Sequence, residues 1–232
     1  MSHQSVRASC ASGAATQAKI NVCQVLREDL TAYGGVFPSN PQRALADEWR
    51  RRNPQTPTEV DQYYREQEAY IADLAWFNLQ PSYWVQNQPL LCVRGYVADF
   101  GGGIGSLALA LAWMGCKVAY VDLVSPQREF AEWRFKRHDL PITVHESLIE
   151  LHDLDAIVST DTIEHLHPAV LPTIARQMWD ALKIKGEVRT ISKFGANDIW
   201  PMHYDSEELF EKAMKDVGFT GGPVIWMKNA KR

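Results

Sequence analysis

The chain has 232 residues, more than one average domain and less than two at roughly 150 residues each. It is 46% hydrophobic and 22% charged, which excludes a disordered chain, a coiled coil and a collagen-like repeat. No run approaches the ~18–20 apolar residues of a membrane-spanning helix, and 24 Lys+Arg against 28 Asp+Glu leave a net charge of −4. A mildly acidic chain lacks the broad positive field that gathers nucleic acid, so neither nucleic acid nor membrane is the expected partner.

Residues 1–27 contain no Asp or Glu and are rich in Ser and Ala. Arginines are too few for an organelle-targeting peptide and no secretory hydrophobic core follows, so a frayed N-terminal tail is expected. Cys10, Cys23, Cys92 and Cys116 form no CxxC pair. That pattern predicts free thiols, a reducing compartment and a cytoplasmic location. Val22, Leu26, Leu30 and Tyr33 recur at helical spacing up to Gly34-Gly35. A short helix over Arg43–Arg52 closes on Arg50, Arg51 and Arg52, a solvated helix end. A longer helix is expected after Pro57, with Thr58 as N-cap, Val60, Tyr64, Ile71, Leu74 and Phe77 on one side, and an end near Pro81. Tyr63, Tyr64, Tyr70, Trp76, Phe77, Tyr83 and Trp84 crowd this region. Most are expected to fill core, with one or two lining a pocket as the sharper alternative. Residues 1–90 thus read as a tail and helical cap.

Residues 91–232 alternate strand and helix signals. Strands are expected over Gly95–Phe100, Lys117–Leu123, Ile142–Glu146, Asp155–Thr160, Gly186–Ser192 and, short if present, Val224–Asn229. Helices begin near Ile104, Pro126, Pro168 and Ser206. The first is apolar on all sides, as a helix sandwiched between layers must be. Ser125-Pro126 caps the second, and Asp205 with Glu208 resembles a capping box for the last, which Gly218 ends. This alternation implies an α/β fold with a doubly wound, mostly parallel sheet, preceded by an N-terminal helical lid.

Val97-Ala98-Asp99-Phe100-Gly101-Gly102-Gly103-Ile104-Gly105 takes a buried strand through glycines into a helix. Such glycines permit positive φ and close approach of a ligand to the backbone. A dinucleotide fingerprint needs glycines at 101, 103 and 106, but Ser106 holds the last position; they fall at Gly101, Gly103 and Gly105, behind Asp99. A carboxylate there repels pyrophosphate and suits a ligand with a cationic amino-acid part. S-adenosylmethionine (SAM), with an ammonium and a sulfonium, is such a ligand.

The Asp-x-Gly-x-Gly-x-Gly run at the end of a first strand resembles motif I of the class I SAM-dependent methyltransferases. Asp122 ends the next strand 23 positions after Asp99, where an acid can accept two bonds from ribose hydroxyls. The resemblance spans roughly residues 90–220. It implies a Rossmann-like methyltransferase fold and SAM as cofactor, with Asp99, Gly101, Gly103, Gly105, Asp122, Leu123, Glu146, Ser147 and Asp161 around it. The acceptor it implies is a small molecule methylated at O or N.

Asp161-Thr162-Ile163-Glu164-His165-Leu166 follows the fourth strand. Glu164, His165 and His203 are the candidate catalytic residues, with a histidine as general base. In small-RNA 3′-terminal ribose methyltransferases and ubiquinone-pathway O-methyltransferases a similar segment holds a divalent ion. Asp161, Glu164 and His165, with His203, would be the members here. The reading without metal is favoured, since Glu-His-Leu is a common helix entry of the superfamily and Asp161 is shorter than the usual Glu. A metal-dependent RNA methyltransferase and a non-catalytic SAM- or nucleotide-binding module are the competing functions. Trp200, beside His203 and Tyr204, is either a loop anchor or a pocket wall.

Overall fold

A computed structural model describes residues 13–34 and 39–230; the first twelve residues of the expected tail lie outside them. The rest of that tail is part of α1 (Gly13–Gly34): the buried stripe read at Val22, Leu26 and Leu30 continues back to Ala18, so the helix starts earlier than the Ser- and Ala-rich composition suggested. Four further helices complete the N-terminal region: α2 (Gln42–Arg52), α3 (Pro57–Glu66), α4 (Ala69–Asn78) and α5 (Pro81–Gln86).

Two sequence expectations change here. The single helix after Pro57 is two, broken between Glu66 and Ala69. Its N-cap is Thr56, not Thr58: the Thr56 hydroxyl takes the Glu59 N–H while the Glu59 carboxylate takes the Thr56 N–H, a reciprocal box that position 58 cannot form. The second of the two helices ends at Asn78, near Pro81 as expected, and Pro81 itself opens α5, since a proline at the first helical position has no N–H to leave unpaired. The arginine run is a helix end as expected, with Arg51 and Arg52 on Glu48 and Arg52 also on Glu66.

The remaining elements are β1 (Tyr96–Phe100), α6 (Ser106–Trp113), β2 (Lys117–Val121), α7 (Pro126–Arg137), β3 (Thr143–His145), β4 (Leu154–Thr160), α8 (Leu171–Ala181), β5 (Leu182–Ile191), α9 (Glu207–Val217), β6 (Thr220–Gly221) and β7 (Ile225–Met227). They build a seven-stranded sheet of order β3-β2-β1-β4-β5-β7-β6. The first five strands are parallel, and β7 and β6 close the edge antiparallel. The terminal hairpin is therefore present, though very short. β5 begins four residues before Gly186, because the register shifts opposite Leu154 and Ala156. A Cβ at Gly186 would press on the Leu154 carbonyl. Ser206, not Asp205, takes the N-cap position of α9 and makes no side-chain cap bond, so the expected capping box does not form. Asp205 stands outside it, exposed.

Side chains alternate across β1. Val97 joins α6 and α1 in one core layer, whereas Ala98 and Phe100 join α8 and α9 in the other. Asp99, two positions from Val97, therefore points into the α6 layer. Cys92 is disulfide-bonded, which corrects the expectation of four free thiols: pairing needs only two Cβ atoms about 4 Å apart in space, which sequence spacing does not disclose. Cys116 is a free, buried thiol.

Candidate active site

The glycine loop turns between β1 and α6. Gly101, Gly103 and Gly105 all have positive φ (71°, 53° and 75°). A Cβ at Gly101 would collide with Thr162, and one at Gly102 with Tyr120 and the Asp99 carboxylate. Side chains other than glycine would thus fill the cradle from below. Asp99 is 1% exposed, and its Oδ2 has no hydrogen-bond partner. Burial, with the Asp122 charge adding, pushes its carboxyl up to about 7.

Asp122 lies beside the loop at the end of β2. Its Oδ2 accepts the Gly103 N–H at 2.6 Å and its Oδ1 the Leu123 N–H at 2.7 Å. The Tyr120 hydroxyl donates to the Gly103 carbonyl at 2.6 Å, a contact the sequence reading missed. Burial raises the Asp122 pKa against the pull of these N–H donors. Beyond β3, Glu146 is exposed and paired with Arg65 Nη2 at 2.6 Å, and Ser147 Oγ accepts the Ile149 N–H.

The segment after β4 faces the glycine loop directly, with Thr162 Oγ1 donating to the Gly101 carbonyl. Asp161 sits in the left-handed region (φ 46°). Its carboxylate accepts from Gln86 Nε2 at 2.9 Å and faces Lys193 Nζ at 3.6 Å. A turn Ile163–His165 then carries Glu164 and His165. Glu164 is fully buried; Oε1 accepts the Lys193 N–H at 2.8 Å and Oε2 has no partner. The His165 and His203 rings meet edge to face with centroids 4.5 Å apart, and Trp200 stacks on His203 at 5.7 Å. Tyr64 Oη bonds His165 Nδ1 at 2.8 Å. Burial lowers the His165 pKa to about 4, opposed by a bond to the Met202 backbone. Burial and the neighbouring imidazole also lower His203, while Glu164 and a bond to the Lys193 backbone work the other way.

One ligand atom each from Glu164, His165 and His203 lies within 4.8 Å of the others. Asp161, grouped with them in the sequence reading, is not in this cluster; it is turned toward Gln86 and Lys193 because its left-handed backbone redirects the side chain. The N-terminal helices touch every motif: Leu74 at Gly103, Arg65 at Glu146, Gln86 at Asp161 and Tyr64 at His165. Only the aromatic crowding before residue 90 signalled this. Gln86 and Arg65 had no sequence signature.

A methyltransferase-domain family model matches residues 97–186, from β1 into β5. The match covers 90 of the 232 residues and takes in the glycine loop with Asp99 and Asp122. The fold of this chain is similar to that of the S-adenosylmethionine-dependent methyltransferase SibL in its apo form, at 18% identity and TM-score 0.52 over 88% of this chain and 74% of that one. It also resembles a Pyrococcus horikoshii OT3 protein (18%, TM-score 0.53, 73% and 99% covered). A SAM-dependent methyltransferase of Methanosarcina mazei is a third (16%, TM-score 0.51, 59% and 93% covered). At such identities the likeness carries the fold. No curated protein matches the chain in sequence. Among the described residues, no helix is long and apolar enough to cross a membrane.

Proposed function

We propose that this methyltransferase methylates an O or N centre of a small-molecule acceptor, using residues 91–232 as the SAM-binding domain and the helices before residue 91 as an acceptor-selecting cap. The observation that carries the reading is the buried Glu164–His165–His203 cluster, set against the glycine loop through Thr162 and Gly101. The orphaned Asp99 Oδ2 and the cradle that a Cβ at Gly101 or Gly102 would fill fit a cationic ligand lying over the loop. Asp122 and Leu123 flank the ribose position, Glu146 and Ser147 the adenine position, and Asp161 the amino-acid end. Bound there, SAM supplies a methyl group on a positively charged sulfur, so alignment and exclusion of water supply much of the rate.

His165 is engaged twice, by Tyr64 and by the Met202 backbone, which holds its ring in one tautomer. His203, with one nitrogen on the Lys193 backbone, keeps a lone pair for the acceptor's proton. The Glu164 carboxylate then stabilises the imidazolium formed. Burial keeps both rings neutral, the form able to receive a proton. Removing the base by His203→Ala is expected to lower kcat about 10²-fold or more, the lower range for a positioned general base, with SAM affinity unchanged by calorimetry. Equal activity in wild type and variant removes His203 from the chemistry. Titration with SAM and with NAD separately tests the cofactor, and mass spectrometry of co-purified ligands identifies the acceptor.

A second reading is favoured by the unpartnered Glu164 Oε2: the same three residues would hold a divalent ion, which lowers the pKa of an acceptor hydroxyl. Activity indifferent to EDTA supports the imidazole base. Loss with EDTA and recovery with a divalent salt supports the ion, and EDTA-sensitive activity on an RNA 3′ end reverses the choice of acceptor.

A further inference from the structure

Asp29, on α1, is completely buried, and two guanidinium groups and an imidazole converge on it. Arg134 Nε lies 2.9 Å from Oδ2, Arg137 Nε 3.1 Å from Oδ1, and His138 Nε2 2.9 Å from Oδ1. Arg134 is also completely buried. Its Nη1 donates to the Ile104 carbonyl at 2.7 Å and to the Ser106 hydroxyl at 3.2 Å. Ile104 and Ser106 bracket Gly105, so the guanidinium grips the loop from behind, where it becomes α6. Leu26 and Leu30, on either side of Asp29 along α1, pack in one cluster with Ile104 and Phe130.

Taking a guanidinium and a carboxylate out of water costs about as much as their attraction returns, and an apolar pair of similar volume is often equally stable. Arg134 Nη2 even lacks a partner. What an apolar pair cannot do is hold a backbone carbonyl. Bonds from the Gly101 N–H to the Val121 carbonyl and from the Gly103 N–H to Asp122 restrain the loop from the β2 side. Arg134 restrains the helix side.

Resting on the SAM reading above, we propose that Arg134 is a positioning residue for the cofactor loop and that Asp29 fixes the guanidinium, so that docking of α1 sets SAM affinity. The test uses the full chain. The double variant Asp29→Leu/Arg134→Met keeps the site apolar and filled. It is expected to melt near the wild type yet bind SAM at least tenfold more weakly by calorimetry, a loss that a merely structural pair would not cause. Ser106→Ala leaves the ion pair and removes one grip, for an expected threefold weakening. Arg137→Ala, at the exposed arm, is expected to leave SAM affinity unchanged. Wild-type affinity in a folded double variant overturns the proposal. If the double variant does not fold, wild-type affinity in Ser106→Ala overturns it. A wild type that does not bind SAM sinks the cofactor reading itself.

Discussion

Asp99 is a buried carboxylate in the wall of the glycine loop. Its pKa is raised from an ordinary 3.8 to about 7, mainly by burial. A group that binds its proton more tightly in the folded state contributes stability that is complete below the unfolded pKa and is lost as pH rises through the folded one. The window is therefore about pH 4 to 7. Asp99→Asn, which stays neutral, is expected to gain thermal stability relative to wild type across that window, by up to about 4 kcal/mol. Melting curves at pH 4, 6 and 8 check this. A stability difference independent of pH would mean that Asp99 is not neutralised in the fold. At the same scale, Gly101→Ala would place a Cβ inside Thr162 at a left-handed backbone position. The expected result is a destabilisation of about 1–2 kcal/mol with SAM binding abolished in calorimetry. Asp99 and the three loop glycines could be read from sequence because their spacing is local. Glu164, His165 and His203 were also grouped from sequence, although His203 lies 39 positions beyond Glu164; the bond of Tyr64 to His165, 101 positions apart, was not.

At the scale of elements, α3 carries Tyr64 toward His165, and the Thr56–Glu59 box fixes where that helix begins. Thr56→Ala removes one half of the box and is expected to cost about 1 kcal/mol, a drop of about 2–4 °C in Tm for a chain of this size. Hydrogen exchange should quicken over residues 57–62 while SAM affinity stays the same; faster exchange spread evenly over the chain would contradict a local cap. The strands β1, β2 and β4 were legible in the sequence because buried parallel strands are short continuous apolar runs. The early start of β5 was hidden, because after Leu182 come three solvent-exposed residues, Lys183, Ile184 and Lys185, two of them charged. Their strand character comes from the bulge opposite β4. The helix break between Glu66 and Ala69 was equally hidden: apolar residues continue at helical spacing across it, and no Gly or Pro marks the spot.

For the whole molecule, the N-terminal helices are packed onto the glycine loop, Glu146, Asp161 and His165, through Leu74, Arg65, Gln86 and Tyr64. Ligand binding stabilises whatever it touches by mass action. Saturating SAM is therefore expected to slow hydrogen exchange in α4 and α5 as well as in the glycine loop. Protection confined to residues 96–125 would mean that the cap stands apart from the cofactor. The sequence by itself determined the parallel sheet, the glycine turn and the acids at its strand ends, because each is written in residues a few positions apart and driven by local backbone geometry and burial. The tertiary structure alone decided which side chains share the site. Tyr64 with His165, Gln86 with Asp161 and Asp29 with Arg134 meet only when helices far apart in the chain bury their apolar faces against the same sheet, and hydrophobic burial is not directional enough to announce such pairs in advance.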